Sequence, residues 1–163
     1  MALTQVQGGM ILASGQSIPK AALPTGSVLQ VVSAATTTLT STTSTSFVDC
    51  TGITASITPT SATSKILVLI TAAGLYKGTN SGQAVSLRVL RGASEITTQI
   101  NIMYSTTAFD FVSESGFVYL DSPATTSSTT YKLQIRARVS GTVQINQDNA
   151  SDTSTITLME IAA

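Results

Sequence analysis

The chain has 163 residues, eight Lys or Arg against eight Asp or Glu, no histidine and one cysteine, and about 31% of its positions are Ser or Thr. A length of this order supports one domain with a sizeable core. Zero net charge excludes a nucleic-acid binder that works by neutralising phosphates, and the missing histidines exclude His-dependent triads and most zinc sites.

Residues 1–26 hold four glycines, Pro19 and Pro24, without sustained alternation, and predict an irregular N-terminal arm ahead of a domain over 27–163. The apolar side chains Met10, Ile11, Leu12, Ile18 and Leu23 are too many for a free tail. The arm either packs back on its own domain or docks on a neighbouring subunit or another protein. No basic flank precedes it, as a signal peptide needs, so the sequence predicts a soluble chain that starts at its own Met1.

Val28–Val32 opens the strand signals. From Ser33 to Ser46, eleven of fourteen positions are Ser or Thr, which fits an exposed strand or a long loop over the sheet, or disorder. Gly52–Thr58 alternates with Ile53, Ala55 and Ile57 on one face, and Pro59 stops it. Ile66–Ile70 has no polar face, which predicts a central strand covered on one side by a second sheet and on the other by the arm or a subunit partner. It is also the longest aliphatic run, far short of the roughly 20 residues that span a bilayer. Gly74, Gly78 and Asn80–Gly82 mark a loop.

Alternation returns over Ala84–Arg91 and continues in Glu95–Met103. Ala108–Val112 and Gly116–Leu120 flank a short Ser-Glu-Ser loop, and 121–130 is a turn-rich polar loop. Tyr131–Val139 gives the clearest strand, with Tyr131, Leu133, Ile135, Ala137 and Val139 opposite Lys132, Gln134, Arg136 and Arg138. Val143–Asn146 and Thr155–Ile161 close the chain. About nine or ten short strands separated by polar turns predict an all-β antiparallel sandwich or jelly roll.

Chemistry is sparse. Asp110 and Glu114 lie four apart near Tyr104 and Phe111, with no motif around them, and read as solvated loop charges. Cys50 lacks a histidine to activate it and reads as a structural thiol. The oxygen-rich 146–152 segment lacks the glycine and terminal glutamate of a calcium loop and reads as a polar hairpin loop, the alternative being a weak cation site. Arg88, Arg91, Lys132, Arg136 and Arg138 form either an intersubunit ion-pair site or a solvated face. The expectation is therefore no enzyme, no cofactor, no metal, no nucleic acid and no membrane.

The stretch Ser27–Ile70, followed by Tyr131–Asn146 and the ending Ser154–Ile161, resembles structural proteins of tailed bacteriophages, especially those of cyanobacteria and other aquatic bacteria. The resemblance covers roughly residues 24–161. It implies a β-sandwich or jelly-roll domain, commonly assembled around a threefold axis, in a virion structural protein made in the host cytoplasm. Fibre proteins of this kind often carry a long shaft ahead of the domain. Only about 26 residues precede it here, which favours a small trimer anchored on the particle through the arm, as a head decoration, cement protein or tail accessory. The alternative is a tail fibre tip binding a receptor or host surface glycan, with Tyr76, Tyr104, Phe109 and Phe111 as contact aromatics.

Overall fold

The computed structural model describes residues 23–148 and 151–163, so Met10, Ile11, Leu12 and Ile18 of the arm lie outside the described residues. Ten strands occur among the described residues: β1 (Val28–Thr36), β2 (Thr40–Thr42), β3 (Val48–Ile57), β4 (Lys65–Lys77), β5 (Val85–Arg91), β6 (Ser94–Ile102), β7 (Phe111–Asp121), β8 (Thr129–Ala137), β9 (Val143–Ile145) and β10 (Ser154–Ile161). The expected strands have counterparts, most with boundaries that differ by a few residues, but Ala108–Val112 and Gly116–Leu120 are a single strand, β7.

The strands form two antiparallel sheets. One runs β1-β10-β4, with β7 on the far edge of β4 and the short β9 and β2 continuing beside the end of β4; the other runs β3-β8-β5-β6. Without β2 and β9, the pairs β1–β10, β3–β8, β4–β7 and β5–β6 are those of a long four-pair hairpin rolled over on itself. That winding is a jelly roll. Ile53, Ile66, Val68, Leu87, Ile135 and Leu158 belong to the core between the sheets, as their period of two requires.

Two expectations are corrected. Ser113–Ser115 is not a loop between two strands but the middle of β7, an edge strand on which polar outward positions cost nothing. Gly74 does not begin a loop; it sits at φ 54° in a bulge of β4 between Ala72 and Leu75, and the strand continues to Lys77. A Cβ at Gly74 would overlap the Asp152 carboxylate and lie 2.9 Å from the Gln147 amide nitrogen. The Ser/Thr run from Ser33 takes the strand alternative of its expectation: it continues β1 to Thr36 and then forms β2.

The central strand is covered on one side only among the described residues. Ile66, Val68 and Ile70 are buried against the second sheet, while Leu67 and Leu69 turn outward and are half-buried.

Candidate functional site

The outer face of the six-stranded sheet is assembled by cross-strand register. Val31 pairs with Met159, Met159 with Leu67, and Leu67 with Leu120, so one apolar row crosses four strands. In the next row Thr157 pairs with Leu69, and Leu69 with Val118. Val118 is 76% exposed, Val31 54% and Leu120 49%. Apolar groups in water cost about 25 cal/mol per Å², so such a row marks an interaction surface more often than a plain one. Of the remaining outward positions, Ser33, Ala35, Thr71, Thr155 and Gly116 are small and uncharged, and Val28, Ile161 and Val112 are apolar. Lys65 stands at one end of this face and Glu114 at the other, both exposed.

The four-stranded sheet presents a different surface. Asp49 accepts from the Lys132 ammonium at 2.8 Å and the Gln134 amide at 2.5 Å, and these two bonds hold its carboxyl below the usual aspartate range. Gln134 in turn accepts from Arg88 Nε at 2.7 Å, and Arg88 reaches Glu95 at 3.2 Å. The guanidinium carbons of Arg88 and Arg136 lie 4.3 and 4.8 Å from the Phe47 ring centre. The positive side chains expected on this strand face are therefore largely paired. Arg91 sits apart, at the end of β5, where it donates to both oxygens of buried Asp121 at 2.8 and 2.9 Å. Tyr131 donates to the same carboxylate at 2.6 Å, and burial followed by that bond pushes its phenol pKa up.

The expected contact aromatics gather around the segment that joins β6 to β7. Phe109 and Phe111 meet edge to face, with ring centres 6.3 Å apart, and both are exposed. The fully buried Lys77 ammonium lies 4.8 Å from the Phe109 ring centre and donates to the Phe109 carbonyl at 2.6 Å. Tyr76 is half-buried and paired with Val112. Tyr104 is exposed at the other end of the segment, under the Arg138 guanidinium at 4.7 Å.

Cys50 is buried and free, and burial raises its thiol pKa. Asp110 and Glu114 are both exposed. In the 146–152 segment the Asp148 amide donates to the Asp152 carboxylate at 2.9 Å. Among the described residues no group of three or more His, Cys, Asp or Glu side chains is placed to hold a metal ion, and no helix is long and apolar enough to cross a membrane.

Leu23, the one described residue of the apolar arm set, lines a cleft of about 390 Å³ with Leu29, Thr60, Ser64 and Ala162. Beside it, Gly26 and Ala162 are bonded through the Gly26 amide at 2.8 Å. Sequence reasoning missed Glu160, which is fully buried nearby. Burial opposes its ionisation, but hydrogen bonds from Thr60, Gln30 and Ser64 more than offset that and keep its pKa below the usual glutamate range. An outward-inward alternation along β10 was the available signal, since it turns Glu160 inward with Ile156 and Leu158.

No family model and no curated protein matches the chain. Solved structures with a similar arrangement of strands include the infectious bursal disease virus VP2 subviral particle, at 10% identity over 84% of this chain with a TM-score of 0.45. Others are T=1 particles of the D431N mutant VP2 of that virus (16% identity, 94% of this chain, TM-score 0.44) and its Gt strain (15%, 96%, 0.43). The chain spans 39%, 41% and 44% of the lengths of those three.

Proposed function

We propose that this chain is a non-enzymatic structural subunit of a bacteriophage particle: a small jelly-roll module that assembles as a homotrimer on the virion surface, as a head decoration, cement protein or tail accessory. One observation carries the reading. A sandwich with a nearly charge-free, apolar outer sheet face is suited to being covered in an assembly. The phage-like sequence blocks add to it. Residues 1–26, with Met10, Ile11, Leu12, Ile18 and Leu23, serve as the attachment arm to other virion proteins, and assembly takes place in the host cytoplasm.

Labelled antibody against the protein should land on intact particles, at head or tail, and sedimentation equilibrium should give three times the 16.8 kDa chain mass. Replacing Met10, Ile11 and Leu12 with Ser in the full chain should leave that mass unchanged and abolish rebinding to particles that lack the protein. Antibody that finds no particle would end this reading.

The cluster of Phe109, Phe111 and Tyr104 supports a second reading, a fibre tip whose exposed rings stack on a host glycan. Binding to host envelope polysaccharide that is lost in Phe109→Ala would favour it.

A further inference from the structure

We propose that the copies meet through the outer face of the β1-β10-β4-β7 sheet, arranged head to tail, so that Lys65 of one copy stands against Glu114 of the next. This rests on the reading of the chain as a trimer and names the surface that makes it.

The argument begins with charge. Between Lys65 and Glu114 the face carries no ionised side chain, so another copy can cover it without burying an unpaired charge, a cost of several kcal/mol wherever it occurs. A chain that only needed solubility would treat both outer faces alike, yet here the charged groups gather on the opposite sheet. Size is the second point. Eight residues of strand and three strand spacings give a face of about 26 by 14 Å. That is on the order of 400 Å², enough for an interface core but below the ~800 Å² per partner of a standard interface. The missing area lies next to it: β7 pairs as a strand only with β4, and its other edge, met by Gln99 of β6 at Ser115 and Gly116, continues the face outward.

The third point is polarity along the strands. Lys65 and Glu114 are opposite in sign, sit at opposite ends of the same face, and take part in no ion pair among the described residues. In a threefold ring with the strands running around the circumference, the Lys65 end of each copy abuts the Glu114 end of its neighbour. A heterologous contact of that kind closes into a trimer when each step turns by a third of a revolution.

The test uses the full chain at micromolar concentration. Val118→Lys places three ammonium groups inside the ring and should weaken association at least a hundredfold, to monomer. Lys65→Glu and Glu114→Lys should each weaken it about tenfold, and the double variant should restore it. Since all three positions are exposed, the β-rich circular dichroism should not change. A Val118→Cys thiol should alkylate slowly in the trimer and rapidly once diluted to monomer. A wild-type monomer would remove the trimer reading itself. A wild-type trimer whose mass survives Val118→Lys, or charge variants that do not rescue each other, would overturn only the assignment of this face. Slow alkylation that persists in the monomer would overturn it too, because residues 1–22 of the same chain would then be the cover.

Discussion

On the outside of the four-stranded sheet the long polar side chains are tied to one another: Asp49 to Lys132 and Gln134, Gln134 to Arg88, Arg88 to Glu95. On the outside of the six-stranded sheet the corresponding positions are Val31, Met159, Leu67, Leu69, Val118 and Leu120. Both sheets bury the same kind of aliphatic core, so the difference does not arise from folding. Water solvates the first face well and the second badly. The first behaves as a finished surface, while the second is completed by whatever covers it.

The largest expected effect tests whether the core is as indifferent to this contrast as its packing implies. Ile135 is fully buried, and its neighbour Arg136 points to the polar outer face. Ile135→Asp buries an unpaired carboxylate at a cost on the order of 4 kcal/mol, and soluble expression should collapse. Arg136→Ser should express normally. If Ile135→Asp kept the wild-type melting temperature, the inward phase of β8 would be wrong.

Next in size is the ionised group that the six-stranded sheet turns inward. The Glu160 carboxylate accepts from the Thr60 amide and hydroxyl, both at 2.7 Å, and from the Gln30 amide at 2.6 Å. Glu160→Ala leaves those donors unmet and should cost about 2 kcal/mol. Its lowered pKa fixes the sign of the pH dependence. The folded state prefers the carboxylate, so the stability it contributes is present above the ordinary glutamate value of about 4.3 and fades as the pH falls through the lower folded value. Urea unfolding at pH 7 and pH 3 should therefore show a larger loss for wild type than for Glu160→Gln. Asp49, also lowered but exposed on the polar face, should matter less, and Asp49→Asn should flatten the same difference only slightly.

Much of this contrast is legible in the residues. The alternation in β8 and β5 gives the inward sets correctly because one side of each strand meets the core, although Ser86 of β5, expected outward, is buried. The absence of any polar face in Ile66–Ile70 already implies a second covered side, and Leu67 and Leu69 are where that implication falls. The continuity of β7 is hidden because its Ser-Glu-Ser segment has turn-like composition, whereas the strand is held by pairing to β4, some forty residues away. The burial of Glu160, Asp121 and Lys77 is hidden for a similar reason. Their partners, Thr60, Arg91 and the Phe109 carbonyl, lie 100, 30 and 32 residues distant, and only Glu160 has a local signal, the alternation of β10.

The smallest expected effect asks whether the polar face stabilises uniformly. Arg136 is its weak member. Its Nε is buried without a hydrogen-bond partner, and the bond it donates to the Thr45 carbonyl is 3.3 Å long. Leaving a buried donor unmet costs about 1–3 kcal/mol, while the stacking on Phe47 returns about 0.5–1 kcal/mol at a partly exposed site. Arg136→Met keeps the length of the stem, removes the orphaned donor and loses little, so its melting temperature should lie within a degree or two of wild type, or above it. Arg88 also stacks on Phe47 but has well-made bonds to Gln134 and Glu95. Arg88→Met should therefore lose about 1–2 kcal/mol, as expected for a charge-assisted bond and the amide left behind. Equal losses in the two variants, measured by differential scanning fluorimetry, would mean that the ring contacts rather than the hydrogen bonds hold this face together.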